Sequence, residues 1–343
     1  MTNAVVIAGD ARPAVGRQAN EFARAHGLPL VAEPSSNARY GDALRYGRVL
    51  LASRLAAEIE VVFVFGHPTL SRPVARLLDR RDIQIIRLAD EVQVAPIAVT
   101  ALATDTAWLD KWHTADDSVT PLEPSGALSS TVGPEGKSPG TFWPSFSAEG
   151  WRRAGGTWSE PSTSERSEHH PLFLGNSNVI RDFDLAPVPA EAVRVYANRG
   201  LSGIDGVVST AIGVALGLGE PTLAVIGDVS FIHDLNALAI PTGEPRPQLR
   251  IVVVDDHGGS IFASLEYGRS EFAAHFERLF ATPTDVDLAA TVAALGIPVQ
   301  TVASWEACQQ LPEIAGLEVV ILTADRSQRQ AEAQALARIA QEL

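Results

Sequence analysis

Leu249-Arg-Ile-Val-Val-Val-Asp-Asp256 is an apolar, β-branched run that closes on two acids and is followed at once by His257-Gly-Gly259. Such a run reads as a strand buried on both faces, the condition of a strand inside a parallel sheet. Thr222-Leu-Ala-Val-Ile-Gly-Asp228, one strand earlier, has the same form and also closes on an acid. Open parallel sheets bind their ligands at the carboxyl ends of the strands. Asp228 and Asp256 therefore converge on one sheet edge. Two acids there can hold a hard divalent cation, and that cation can hold a diphosphate.

Strands and helices alternate outward from this pair. On the N-terminal side, Val5–Ala8, Leu28–Ala32, Val61–Phe65 and Ile83–Leu88 read as strands. Pro13–His26 reads as a helix stopped by Gly27, Ser71–Arg81 as a helix with Pro73 in its first turn, and Ala101–Asp117 as a further helix. Residues 118–168 are dense in Ser, Pro, Gly, Thr and Glu and carry no sustained apolar period. They read as a linker or long loop, with Trp143, Trp151 and Trp158 scattered through it.

Around the two acids, Leu172–Leu174, Arg194–Tyr196, Val299–Val302 and Val319–Leu322 read as further strands. Val207–Leu218, Phe231–Ile240, Leu288–Leu295, Trp305–Leu311 capped by Ser304, and Gln328–Leu343 read as helices. The expected fold class is α/β: two doubly wound parallel-sheet domains. The expected limits are a first domain over 1–117, the linker over 118–168 and a diphosphate-binding domain over 169–343.

Composition narrows the function. The 343 residues include 41 acidic and 27 basic side chains, a formal net charge of -14. That charge argues against a nucleic-acid surface. Cys308 is the one cysteine, which excludes an internal disulfide and suits a reducing cytoplasm. No apolar stretch approaches the roughly 20 residues of a membrane span. The N-terminus runs directly into a strand without a basic leader region.

The local chemistry of the two strand ends is specific. Gly227 lets the backbone approach a phosphate, and Ser230 is expected to cap the helix that follows. Gly258 and Gly259 allow a carbonyl to turn inward as a third oxygen ligand. An all-oxygen set of this kind suits Mg²⁺. Each motif alone also reads as an ordinary strand-end turn. His257 is a poor ligand for a hard ion and is expected to face solvent.

A Gly-Asp turn followed one helix and strand later by an Asn/Asp pair resembles the thiamine-diphosphate enzymes. A fuller series occurs here in order. It comprises Gly175-Asn-Ser-Asn-Val-Ile-Arg181-Asp, Asn198-Arg-Gly-Leu-Ser-Gly-Ile-Asp-Gly206, Gly227-Asp-Val-Ser-Phe-Ile-His-Asp-Leu-Asn236 and Asp255-Asp-His-Gly-Gly-Ser-Ile-Phe262. The series resembles the 2-succinyl-5-enolpyruvyl-6-hydroxy-3-cyclohexene-1-carboxylate (SEPHCHC) synthase family, also called MenD, of menaquinone biosynthesis. Its strong motifs cover 172–265, and 1–117 looks like the family's central domain.

The resemblance implies thiamine diphosphate held through Mg²⁺ or Mn²⁺ on Asp228, Asp256 and the Gly258 carbonyl. Gly227, Val229, Ser230 and Ile261 would complete the cofactor contacts. Ile204 would be the stiff apolar wedge under the cofactor. Ser177, Arg181 and Arg199 would face substrate, Phe262 and Leu265 would form an apolar wall, and Arg72 would be a candidate for a further carboxylate contact. The implied reaction is decarboxylation of 2-oxoglutarate, then 1,4-addition of the succinyl carbanion equivalent to isochorismate. Both substrates are dicarboxylates, and a guanidinium fork matches a carboxylate in two bonds.

Other readings stand beside these. Arg199 can simply pair with Asp205, Arg181 can pair with Asp182 or Asp184, and Ile204 can be plain core. The family's N-terminal pyrimidine-binding domain, with its catalytic glutamate, is not found in this sequence. The expectation is thus a homo-oligomer, or a partner that supplies that domain. A non-catalytic thiamine-diphosphate- or metabolite-binding fragment, and another thiamine-diphosphate-dependent 2-oxoacid decarboxylase, are the alternatives.

Overall fold

The computed structural model describes residues 2–88, 106–119 and 170–343. The chain divides into two compact units. The first comprises 1–121, 183–195 and 335–343, and the second 122–182 and 196–334.

Among the described residues, the first unit carries four strands: β1 (Ala4–Ala8), β2 (Leu30–Ala32), β3 (Val61–Phe65) and β4 (Gln84–Leu88), in the order β2-β1-β3-β4, all parallel. All five residues of β1 and of β3 are buried, as continuous apolar runs require. A helix follows at Pro13–Ala25, with proline in its first turn and Gly27 in the left-handed region just past its end. Another covers Arg72–Leu78, also opened by a proline.

The expected helix 101–117 is present as Thr106–Ser118, with Trp108 and Trp112 buried; 101–105 lie outside the described residues. Most of the expected linker, with its three tryptophans, also lies outside them. Its first two residues are not linker: Ser118 ends the helix and Val119 packs into the first unit's core.

The second unit carries β5 (Leu172–Leu174), β6 (Val195–Ala197, whose first residue belongs to the first unit), β7 (Thr222–Gly227), β8 (Leu249–Asp255), β9 (Val299–Val302) and β10 (Leu317–Thr323). Their order is β6-β5-β7-β8-β10-β9. β5, β7, β8, β10 and β9 pair in parallel, with Gly227 opposite Val254 and Thr323 opposite Asp255. Parallel pairing puts the carboxyl ends of β5, β7, β8 and β10 along one edge.

The core beneath that edge is apolar. Phe173, Ile226, Phe231, Ile251 and Val253 are fully or almost fully buried in one cluster with the small-residue helix Val207–Leu218. Ser304 caps the helix Trp305–Gln309 as expected, its hydroxyl accepting from Ala307 N–H.

Candidate diphosphate and metal site

Strand β7 ends at Gly227, and Asp228 is the first residue of a six-residue helix, Asp228–His233. Strand β8 ends at Asp255, and Asp256 follows it. Since Gly227 lies opposite Val254, the two acids stand just past the ends of adjacent strands. Both are buried, 6% exposed each. Asp228 accepts from its own neighbour Val229 N–H through Oδ1 and from Gly258 N–H through Oδ2, both at 2.8 Å. The second bond ties the loop after β8 to the turn after β7.

Electrostatics places the acids against one another. Burial, then the negative charge of Asp256, pushes the Asp228 carboxyl up to about 7. Burial pushes Asp256 up to about 6, against the opposing pull of a Ser260 hydrogen bond and of Arg329. Two buried carboxyls that resist ionising together form a site that a cation would relieve. Among the described residues, no group of three or more His, Cys, Asp or Glu side chains could hold a metal. A cation here would therefore draw on the two acids, backbone oxygen and ligand oxygens.

The glycines shape the space. Gly227 has an ordinary φ of -73°, and a Cβ built on it meets nothing within 4 Å, so the turn faces open room. Gly258 has φ +123°, and a Cβ there would stand 2.2 Å from the Ala281 carbonyl oxygen. Only glycine fits that position. The Gly258 carbonyl accepts from Ser260 N–H at 2.8 Å and keeps a second lone pair for another partner.

The loop after β5 completes the edge. Ser177 sits at φ +73°, and its carbonyl accepts from Arg181 Nη1 at 2.8 Å. Arg199, 4% exposed, donates from Nη1 to Asn176 Oδ1 at 2.9 Å. Ile204 is half-buried in the same loop as Arg199. Phe262 and Leu265 are half-buried in and beside the short helical turn Ser260–Ser264, and the Phe262 ring lies 6.0 Å from that of Phe280. Arg72 is exposed at the start of the helix Arg72–Leu78, in the first unit.

No family model matches the chain. A curated relative from a Nocardioides species is 42% identical over 357 residues, covering 95% of this chain. Relatives from Renibacterium salmoninarum and Paenarthrobacter aurescens are 39% and 41% identical, each over 94% of it. All three are named 2-succinyl-5-enolpyruvyl-6-hydroxy-3-cyclohexene-1-carboxylate synthase. The chain is a homologue of the SEPHCHC synthases. It spans 61%, 57% and 57% of those three proteins' own lengths. A solved structure of benzoylformate decarboxylase from Polynucleobacter necessarius shares the fold, with a TM-score of 0.55 at 14% identity, over 95% of this chain and 62% of that one.

Two local expectations for this SEPHCHC synthase homologue need correcting. Ser230 does not cap the helix after β7. Gly227 occupies the N-cap, and Ser230 lies inside the helix, buried. Nor is there one helix over 231–240: Asp228–His233 is followed by a separate 3₁₀ turn, Leu235–Leu238. His257 is two-thirds exposed at φ +58°, with Nδ1 3.2 Å from Asp255.

Residues outside the expected site set also organise the edge. Asn178 donates to the Ser260 hydroxyl at 2.6 Å, joining the loops after β5 and β8. The loop after β10 contributes Arg326, which pairs with Glu277 at 2.7 Å, and the helix that follows opens on Arg329, which grips Asp182. Asn178 stands inside a motif already singled out, so its polarity beside an apolar strand was a usable signal. Arg329 gave none, because its partner lies 147 positions away.

Proposed function

We propose that the second unit is the diphosphate- and metal-binding half of a SEPHCHC synthase site. The first unit would serve as the central domain and the second as the cofactor domain, so the expected limits 1–117 and 169–343 shift by the segments 183–195 and 335–343, which belong to the first unit. One observation carries the reading. Two buried carboxylates stand past adjacent strand ends, each pushed well above the usual carboxylate range, and one is bonded to a glycine loop.

The donors fit a hard divalent cation: two carboxylates and the Gly258 carbonyl, all oxygen. Mg²⁺ or Mn²⁺ held there would anchor the diphosphate of thiamine diphosphate, in the open room beside Gly227, Val229, Ser230 and Ile261. When bound, thiamine diphosphate supplies an electron sink for loss of carbon dioxide from a 2-oxoacid and transfer of the remaining fragment. The chain's own residues hold and orient. Ile204 presents a stiff β-branched surface to the cofactor. Arg199, Arg181 and Ser177 receive the carboxylates of 2-oxoglutarate and isochorismate. Burial of Arg199 strengthens such a pairing, because water competes less there. Phe262 and Leu265 keep the reacting region apolar.

Among the described residues no helix is long and apolar enough to cross a membrane. The reading makes the protein a cytoplasmic enzyme, working as a homo-oligomer or with a partner that brings the pyrimidine-binding domain. Calorimetry of thiamine diphosphate binding tests it, with and without Mg²⁺. The expected result is metal-dependent binding that Asp228→Ala abolishes; undiminished binding in that variant would overturn the reading.

A further inference from the structure

We propose that Asn176 is the positioning residue of this site, its side-chain amide setting both the Arg199 guanidinium and the backbone that leads to Ile204. The inference rests on the reading of Arg199 as a carboxylate-binding residue. Asn176 is 3% exposed, in the loop after β5. Its Oδ1 accepts from Arg199 Nη1 at 2.9 Å. Its Nδ2 donates to the Asn198 carbonyl and to the Gly203 carbonyl, each at 3.0 Å. One amide thus closes the loop 198–203 at both ends and holds the side chain that the loop carries.

The orientation of that amide is fixed by its partners. Two carbonyls can only accept and a guanidinium can only donate, so a flipped amide would lose all three bonds. The amide is itself seated on the sheet. Gly175 N–H donates to the Val225 carbonyl at 2.8 Å, and a Cβ on Gly175 would stand 3.1 Å from Ile226 Cα. The loop it closes holds an unfavourable backbone: Ser202 lies at φ +54°, with its hydroxyl on the Arg199 carbonyl at 3.3 Å.

The choice of asparagine matters for charge. A neutral oxygen orients the guanidinium without cancelling its charge, which a dicarboxylate ligand needs. An aspartate at 176 would keep a bond to Arg199, neutralise it, and turn a bare oxygen toward two carbonyls.

Two measurements on the full chain test this. Hydrogen exchange of the ligand-free protein reads the clamp directly. Asn176→Ala is expected to speed exchange over 198–204 about tenfold, the scale of one or two lost hydrogen bonds; unchanged exchange overturns the proposal. Titration with 2-oxoglutarate and with pyruvate, in the presence of Mg²⁺ and thiamine diphosphate, reads the positioning. Asn176→Asp, nearly isosteric, keeps the bond to Arg199; once a melting curve shows it folded, it is expected to weaken 2-oxoglutarate about tenfold and pyruvate by less than about threefold. Equal losses for the two acids would mean a merely structural role and overturn the proposal. The reading beneath it fails separately, if Asp228→Ala keeps metal-dependent thiamine diphosphate binding. The exchange measurement still decides the clamp in that case.

Discussion

Arg329 grips Asp182 with both ends of its guanidinium, Nη1 to Oδ1 and Nη2 to Oδ2, each at 2.8 Å. The pair joins the first turn of the C-terminal helix Arg329–Glu342 to the short helix Asn178–Phe183, which also carries Arg181. Asp256 feels both partners: Arg329 draws its carboxyl down and Asp182 pushes it up. The clamp therefore fixes a helix of the edge and also sets the charge around a proposed metal ligand.

Removing one side of this clamp should be costly. Arg329 is 9% exposed in its side chain and Asp182 18%, so Arg329→Ala leaves a largely desolvated carboxylate. A loss of about 2–3 kcal/mol is expected, below the range for fully buried pairs because Asp182 keeps some water. Urea unfolding of the wild type and of Arg329→Ala measures it. The reversed pair, Asp182→Arg with Arg329→Asp, should recover part of the loss. A change within about 0.5 kcal/mol, the ordinary surface range, would show that the clamp contributes little.

The α/β class was legible because its signal is local. Val61–Phe65, Leu172–Leu174 and Val299–Val302 have the same limits in sequence and structure, since a doubly buried strand is a bare apolar run. Asp228 and Asp256 were legible for the same reason: an acid at the end of such a run has no place in the core. What the sequence concealed is long-range or conformational. The Arg329–Asp182 clamp depends on tertiary contact alone. So does the strain at Ser177, Ser202, His257 and Thr282, non-glycine residues at positive φ among the described residues of the second unit. Serine at φ +73° looks like any other serine in a sequence.

The raised carboxyls give a signed pH dependence. Asp228 and Asp256 have folded-state values of about 7 and about 6 against 3.8 in the unfolded chain. The metal-free folded state then binds more protons than the unfolded state between those limits, so stability falls as pH rises from about 4 to about 7. Cation binding must displace those protons, so Mg²⁺ affinity should rise over the same window. Thermal unfolding from pH 4.5 to 8, with Mg²⁺ and thiamine diphosphate or with chelator, measures both. Asp228→Asn should reduce the metal-free pH dependence and remove the response to Mg²⁺. A flat profile with chelator would contradict the assignment.

Gly258 tests the loop rather than the acids. Its φ of +123° and the 2.2 Å approach to the Ala281 carbonyl leave no space for a methyl group. Gly258→Ala should therefore displace the loop, break the 2.8 Å bond to Asp228 and cost about 2–3 kcal/mol. Gly227→Ala is the matched control, because its Cβ would enter open room at an ordinary φ. It should leave stability within about 0.5 kcal/mol while weakening thiamine diphosphate, whose diphosphate would meet the new methyl. Circular dichroism melts and cofactor titration separate the two variants.

Ser177 poses stability against function. Its φ of +73° strains a residue with a Cβ, whereas glycine adopts that conformation freely. Ser177→Gly should therefore keep the loop, with its carbonyl still accepting from Arg181, and gain up to about 1 kcal/mol. The same change removes the hydroxyl proposed to face substrate. A higher melting midpoint combined with weaker 2-oxoglutarate binding is the expected pair of results. Strain kept at a loop that gains nothing else from it would be relieved without loss, so a stabilised variant with unchanged ligand affinity would remove Ser177 from the site.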